Sequence, residues 1–469
     1  MTHKQDFEGK RVTVVGLGIE GVDLARYLVA KGALVTISDS RSAERLVARL
    51  RDLDGLPVDL SLGKNDPAVT VAADRVFVSQ GVPLNIPALA AAREHGVPLD
   101  SMTRLFFDLC PGPVVGITGS SGKTTVTSIV GAAFAAAGRE HVVGGNIGVG
   151  LLSLLGEIGP QTWVVLEISH TQLELTTRSP HAACVLNVTP NHLDRYSWEG
   201  YVGLKRNILR YQRPDDIAVL GYDNEVSRSL ASEARGRVIF FSDGADLPGP
   251  AALVRDDAVV WRSDGRDIPV VPTSEIPLRG RHNVSNVLAA TAVASACGIS
   301  TDAIGRAVRE FKSVPHRLEF VAEFDGVAYY NDSIATTPER TLAGTRSFDE
   351  PIVLLLGGRE KHLPLDDMFR ELCGRCRALV FFGEARETLM AAARGTIDGV
   401  GAEKRPDLVV VDALEDGVLA ARAAARPGDV VLLSPACTSF DAYDNFEERG
   451  EHFRRLVLAM TSVEGGSRP

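Results

Sequence analysis

Thr118-Gly-Ser-Ser-Gly-Lys-Thr-Thr125 is the stretch on which the fold turns. It follows a β-branched run, Val114–Ile117, and opens a helical stretch from Lys123 to Ala137. A nucleotide phosphate is best met by successive backbone N–H groups, a cation and a helix N-terminus. Gly119 and Gly122 allow the tight turn, and Ser120, Ser121 and Thr125 lie along the cradle. Lys123 supplies the charge, and the Thr124 hydroxyl suits Mg2+. The longer phosphate-loop spacing asks for Gly at 117, where Ile117 stands and Gly116 is one place out of register. The match is therefore to the shorter GxxGK[ST] form. A surface Lys on a Gly-rich turn is the bland alternative, and the flanking strand and helix weigh against it. The loop is expected to bind a nucleoside triphosphate.

Upstream, Arg11–Val15, Leu34–Ser38 and Arg75–Ser79 read as strands, with helices at Gly21–Lys31 and Pro87–Glu94. Such alternation predicts a parallel sheet covered by helices. A Pro/Gly break follows at 108–113. Downstream, strands at Trp163–Leu166, Ala182–Leu186, Ile217–Leu220 and Val238–Phe241 precede an Ala-rich helix, Arg281–Cys297, that closes the block. A second break lies at 312–316. Phe320–Tyr330, with Asp325-Gly326 at its middle, predicts a hairpin. Strands at Ile352–Leu356, Leu379–Phe382, Leu408–Val411 and Val430–Leu433 then alternate with helices, and the tail from Glu464 is expected to be loose. The reading is α/β throughout, with three domains in series.

Composition agrees. The 469 residues carry 50 Lys+Arg against 60 Asp+Glu, a net charge of −10, with 45% hydrophobic and 23% charged residues. Those proportions are ordinary for soluble globular chains, and the length suits about three domains of ~150 residues. No apolar run approaches the ~20 residues that span a bilayer. The polar N-terminus has no signal-peptide core, and six cysteines in this length make no disulfide scaffold. The acidic balance, without a basic run, excludes general nucleic-acid binding. A cytoplasmic enzyme is expected.

Gly16-Leu-Gly18-Ile-Glu-Gly21 is a full GxGxxG after a strand, with Asp39 ending the next strand. It suits a nucleoside-diphosphate substrate, a dinucleotide, or simple helix–strand packing; no hydride-transfer constellation accompanies it. Glu167 ends the Trp163–Leu166 strand, where open α/β sheets place ligands, and a carboxylate there can hold Mg2+. In Asn187-Val-Thr-Pro-Asn-His192-Leu-Asp194, His192 or Asp194 offers a metal ligand or phosphate contact. Lys205, on the next helix, reads as a solvated lysine. Cys373-x-x-Cys376 has no second pair, sits in a predicted helix and reads as fortuitous. Cys437 lacks a nearby His base, and Thr438 and Ser439 read as donors to a ligand.

Taken together, GLGIEG (16–21), TGSSGKTT (118–125), GGNIG (144–148), EISHTQLE (167–174), NVTPNHLDRY (187–196), RHNVSN (281–286), PHRLE (315–319), NDSIATT (331–337), LLLGGREKH (354–362) and SPACTSFDAYDNFEERG (434–450) resemble the Mur ligases over essentially the whole chain. The last block points to the glutamate-adding branch. The resemblance implies a Rossmann-like N-terminal domain (1–110) for a UDP-linked substrate, a central P-loop ATPase-type domain (111–313) and a Rossmann-like C-terminal domain (314–469) for glutamate. It implies ATP-dependent addition of glutamate, D-glutamate by family default, to UDP-N-acetylmuramoyl-L-alanine through an acyl phosphate, in cytoplasmic peptidoglycan precursor synthesis. The alternatives are L-glutamate, or another superfamily ligase such as a folylpolyglutamate synthetase.

Residue by residue, the resemblance gives Lys123 the transferring phosphoryl group and gives Thr124, Glu167, His192 and Lys205 two Mg2+ ions. Lys205 matches a carbamylated lysine. Asn146 falls to the acceptor, and Asn283, Asn286, Arg317 and Asp332 to ATP. Thr336, Lys361, Ser439, Phe440 and Phe446 form the glutamate pocket, and Ile19, Ser40 and Arg41 hold the UDP moiety. A monomer with only small-molecule partners, no nucleic acid and no membrane insertion is implied. The chain departs from the pattern at Ile334 (commonly Lys), His170-Thr171 (Ser-Phe), Glu20 (Thr) and Gln80 (Pro). A P-loop sensor that ligates nothing is the competing class, and Lys123, Glu167, His192 and Lys205 together weigh against it.

Overall fold

The computed structural model describes residues 6–146, 150–193, 195–397 and 399–464. The tail beyond Glu464, Asp194, and Ile147-Gly148 of the GGNIG motif lie outside the described residues. The chain divides into two compact units, residues 1–276 with 284–311, and 277–283 with 312–469.

The first unit holds two sheets. A five-stranded parallel sheet runs Val58–Leu62, Leu34–Asp39, Arg11–Val15, Arg75–Val78, Leu99–Asp100. Its central strand is buried from Val12 to Val15, as a parallel strand covered on both faces must be. The nine-stranded sheet runs Arg266–Pro272, Ala258–Ser263, Ala251–Arg255, Arg237–Ser242, Ile217–Gly221, Ala182–Val185, Val114–Thr118, Trp163–Glu167, His141–Gly145. The first three of these form antiparallel pairs, and the rest pair in parallel. Strand Val114–Thr118 has later strands on both sides, so its carboxyl end is a topological switch point, the usual ligand crevice of such sheets. One apolar core links the sheets, from Val14, Leu24 and Phe77 to Leu166, Ile168 and Leu220.

The second unit has a six-stranded sheet: Glu319–Phe324, Val327–Asn331, Val430–Ala436, Ile352–Gly357, Cys376–Phe382, Asp407–Val410. All neighbours are parallel except the first pair. That pair is the expected hairpin, turned by Asp325 (φ 52°) and Gly326 (φ 72°); positive φ at both central residues matches the right-handed strand twist. Two equal turns, at Asp256-Asp257 and Asp264-Gly265, join the antiparallel strands of the first unit.

Two expectations need correction, and several strands were not expected at all. Cys373 follows the helix Asp366–Leu372 and Cys376 begins a strand, because Gly374 (φ 80°) breaks the helix between them; both thiols are free. The helix Arg281–Ala296 does not close its block, since Thr301–Glu310 follows, capped by Ser300. The strands Val58–Leu62, Leu99–Asp100, His141–Gly145 and the three antiparallel ones were not foreseen. No helix among the described residues is long and apolar enough to cross a membrane.

Candidate active site

Parallel pairing places Ile117 beside Glu167, so the glycine loop and a carboxylate leave adjacent strand ends together. Glu167 is 2% exposed. Thr124 Oγ1 donates to its Oε2 at 2.7 Å, and Asn146 Nδ2 donates to its Oε1 at 2.9 Å. The loop is stitched to the neighbouring strand end: Ser120 N–H donates to the Asn187 carbonyl (2.9 Å), Ser121 N–H to Asn187 Oδ1 (3.0 Å), and Ser120 Oγ to the Thr189 carbonyl (3.1 Å). Gly122 adopts φ 84°, and a Cβ there would lie 2.3 Å from Asn286 Oδ1, so glycine lets Asn286 close on the turn. Lys123 Nζ donates to the Gly119 carbonyl at 3.0 Å. Thr125 is buried behind the loop.

Lys205 is not solvated. It is 1% exposed, and its Nζ donates to Thr118 Oγ1 and to the Gly119 carbonyl, both at 3.0 Å. Burial, reinforced by the Lys123 charge, pulls its ammonium well below the usual lysine range. The sequence reading failed here because a lone helical lysine is usually wet. The missed signal is its place on the buried stripe Tyr201, Lys205, Ile208, Leu209.

His192, exposed and in the left-handed region (φ 55°), lies against His170 with ring centroids 4.3 Å apart; Tyr196 and Tyr201 meet His170 edge-on. Burial, with the charges of His192, Lys205 and Lys123, holds His170 down at about 3. Neutral at pH 7, it adds no charge beside His192. No group of three or more His, Cys, Asp or Glu among the described residues forms a ready-made metal cage. Thr124 and Glu167 still present the paired hard oxygens that suit Mg2+.

In the first sheet, a Cβ on Gly21 would lie 2.2 Å from the Gly16 carbonyl oxygen, so helix Ile19–Ala30 packs directly on the turn. Asp39 accepts from Leu17 N–H (2.7 Å), Arg41 Nε (3.0 Å) and Arg41 Nη2 (2.7 Å). Those bonds hold its carboxyl below the usual range against the opposing effect of burial. Ile19, Ser40 and Arg41 stand exposed around this loop.

The second unit gathers the remaining candidates. Asp332, buried at the end of its strand, accepts from Ser434 Oγ (2.9 Å) and Leu318 N–H (3.2 Å), and burial pushes it up to about 7. Asn283 is buried and donates to the Arg279 carbonyl at 2.7 Å; Arg317 is half-buried. Lys361 Nζ donates to Thr336 Oγ1 at 3.2 Å, uniting two predicted pocket residues. Ser439 is 2% exposed, Phe440 is 60% exposed, and Phe446 meets His316 edge-on.

Two cations here escaped the sequence reading. Arg340 donates to the Ile334 carbonyl at 3.3 Å and, after burial, is the strongest influence lowering Lys361; it supplies charge where Ile334 cannot. Arg449 is fully buried and donates to the carbonyls of Ser333, Gly357, Cys437 and Thr438 at 3.0–3.2 Å. It thereby ties together the three loops that carry the NDSIATT, GGREKH and PACTS motifs.

Comparison with known proteins completes the picture. The Mur ligase MurD-like N-terminal domain matches residues 10–100, the Mur ligase middle domain 117–294, and the Mur ligase glutamate ligase domain 316–437. The UDP-N-acetylmuramoylalanine–D-glutamate ligase of Symbiobacterium thermophilum is 44% identical over 454 residues, covering 96% of this chain and 98% of its own. That of Pelotomaculum thermopropionicum is 39% identical over 458 residues, covering 97% and 99%. The solved UDP-N-acetylmuramate–alanine ligase of Thermotoga maritima shares the fold, with a TM-score of 0.59 at 19% identity, covering 96% of this chain and 100% of its own.

Proposed function

Because the chain belongs to the Mur ligase family, we infer that it adds D-glutamate to UDP-N-acetylmuramoyl-L-alanine at the expense of ATP, in the cytoplasmic synthesis of peptidoglycan precursors. The observation that carries the reading is the junction of Lys123, Thr124, Asn146, Glu167 and Lys205 at two adjacent strand ends. It offers a phosphate cradle, the Lys123 cation, the buried Lys205 amine and a carboxylate suited to Mg2+ in one place.

The N–H groups of Gly122–Thr125, at the start of the helix, and the Lys123 ammonium hold the terminal phosphates of ATP. The acceptor carboxylate attacks the γ-phosphorus in line; an oxygen–phosphorus bond forms and ADP leaves. The glutamate amine then attacks the acyl carbon, the amide forms and orthophosphate leaves. Asn146 orients the acceptor carboxylate, and Lys123 stabilises charge on the transferring phosphoryl group. Asn283, Asn286, Arg317 and Asp332 serve ATP; Thr336, Lys361, Ser439, Phe440 and Phe446 serve glutamate; Ile19, Ser40 and Arg41 serve the UDP end.

Thr124, Glu167 and His192, with Lys205 as a carbamate, are the residues that would hold two Mg2+ ions, which neutralise phosphate charge when bound. The buried Lys205 amine, bonded to one hydroxyl and one carbonyl, suits the carbamate because burial and the Lys123 charge disfavour its ammonium more than the Glu167 carboxylate favours it. The test is product formation with each substrate omitted in turn. ADP and orthophosphate should form only with ATP, UDP-N-acetylmuramoyl-L-alanine and glutamate all present; AMP as the stoichiometric product would overturn the mechanism. Running D- and L-glutamate side by side decides the stereochemistry.

A further inference from the structure

The loop Gly16–Gly21 and the segment leaving the Glu167 strand meet through one carboxylate. Glu20, in the first turn of helix Ile19–Ala30, accepts from the Gln80 backbone N–H at 2.8 Å, from Gln80 Nε2 at 2.7 Å and from Gln172 Nε2 at 3.2 Å. The far ends of both amides are also engaged. Ser169 Oγ donates to Gln80 Oε1 at 2.9 Å, and Ser169 N–H donates to Gln172 Oε1 at 2.9 Å. Gln172 N–H returns a bond to Ser169 Oγ at 3.2 Å. The circuit therefore closes from Glu20 through Gln80 and Ser169 to Gln172 and back.

A carboxylate only accepts, so it dictates which end of each amide faces it. Reversing Gln172 would set its amide N–H groups against the Ser169 N–H, and reversing either amide would set its oxygen against the Glu20 carboxylate. Gln172 is 3% exposed and Ser169 8%, and in a dry network partial satisfaction is costly. The arrangement thus specifies one geometry. Ser169 lies two residues beyond Glu167, and Glu20 lies inside the glycine turn that the functional reading gives to the diphosphate.

We propose that Glu20 is a positioning residue for the acceptor: with Gln80 and Gln172 it fixes the Gly16–Gly21 loop relative to the Glu167 strand end, so that a substrate held by its diphosphate at the first presents its carboxylate correctly at the second. This rests on the functional reading above. A substrate anchored at two points is sensitive to ångström changes in their separation.

The test uses steady-state kinetics of the full chain with ATP, UDP-N-acetylmuramoyl-L-alanine and D-glutamate. Glu20→Gln puts an amide hydrogen against one of three donors. Loss of a charge-assisted bond should raise the acceptor KM about tenfold, while the ATP KM changes less than about twofold. The double variant Glu20→Gln/Gln80→Glu should recover part of the loss. With the new amide nitrogen in the place of Oε1 it donates to the new carboxylate, the amide oxygen in the place of Oε2 accepts from the residue-80 N–H, and the carboxylate still accepts from Ser169, so that only the bond from Gln172 stays lost. Gln172→Met, which leaves the Glu20–Gln80 pair intact, should show the same acceptor-selective rise and covers the case in which Glu20→Gln fails to fold. Acceptor-dependent turnover with an unchanged acceptor KM in the folded single variants would overturn the bridge alone. So would a uniform loss in all parameters without recovery in the exchange. ADP formation by the unsubstituted protein without acceptor would overturn the functional reading, and this proposal with it.

Discussion

The molecule carries two glycine loops of one design and opposite chemistry. Both follow a buried parallel strand and open a helix, and both contain a glycine at positive φ, Gly16 at 98° and Gly122 at 84°. Both are closed by contacts that leave no room for a Cβ, from the Gly16 carbonyl to Gly21 and from Asn286 to Gly122. They differ in the side chain set in the first helical turn. In the first loop it is Glu20, engaged by Gln80 and Gln172; in the second it is Lys123, folded back on the Gly119 carbonyl. Backbone N–H groups make either loop an anion site. The side chain then decides whether the anion is only held or also receives charge stabilisation during transfer. Changes at the second loop should therefore strike turnover, and changes at the first should strike acceptor binding or loop stability.

The largest expected effect is at Lys123. Lys123→Ala should reduce kcat by at least ~10²-fold, since a preorganised charge on a transition state is worth several kcal/mol. Initial rates should show the acceptor KM nearly unchanged. A variant that kept kcat and lost only acceptor affinity would erase the distinction between the loops. Next comes a charge that meets a carboxylate at binding. Lys361→Met should raise the glutamate KM ~10- to 150-fold, for a lost charge-assisted bond of ~1.5–3 kcal/mol. The KM values for ATP and the acceptor should stay near wild type; an unchanged glutamate KM would place the pocket elsewhere.

The packing half of the comparison has an internal control. Gly21→Ala drives a Cβ to 2.2 Å from backbone oxygen, whereas Gly18, at φ −97°, has nothing within 4 Å of its Cβ position. Overpacking against backbone should destabilise the first variant by ~1–3 kcal/mol. Gly18→Ala, at a helix N-cap, should cost less than about 1 kcal/mol. Thermal melts of the two variants, with equal shifts as the contrary result, decide it.

The phosphate loop, its strand and its helix were legible almost to the residue because strand, turn and helix chemistry agree within a dozen positions. Strands such as Ile352–Gly357 were legible because burial on both faces leaves an apolar run. Arg266–Pro272 was not: four of its seven residues are exposed and it contains two prolines. Asp264-Gly265 carried the same turn signal as Asp325-Gly326, yet went unread without apolar flanks on both sides. The site was legible as motifs but not as burial. Lys205 and Arg449 both lie on apolar helical stripes, the second with Phe453 and Val457 at successive i+4 steps. A basic residue on such a stripe must be compensated inside the fold, and that pattern would have revealed both cations. Glu20, Gln80 and Thr171, three separate departures from the family pattern, meet at one place; only the structure brings residues 60 and 91 positions apart together.

The effect most spread out over conditions concerns the carboxylates at the strand ends rather than the loops. Glu167 and Asp332 each accept from a hydroxyl, Thr124 and Ser434 respectively, but burial raises Asp332 from 3.8 to about 7. The folded state therefore holds a proton that the unfolded chain releases near pH 4, so the unfolded state binds fewer protons across that interval. Stability must then fall as pH rises from about 4 to about 7, by at most ~1.4 kcal/mol per pH unit from this group. Asp332→Asn keeps an oxygen for the Ser434 hydroxyl and cannot ionise. Its urea-unfolding midpoint should be less sensitive to pH between 5 and 7 than that of the wild type, with the two curves closest at the acid end. Curves that run parallel across the interval would show that Asp332 is already ionised in the fold.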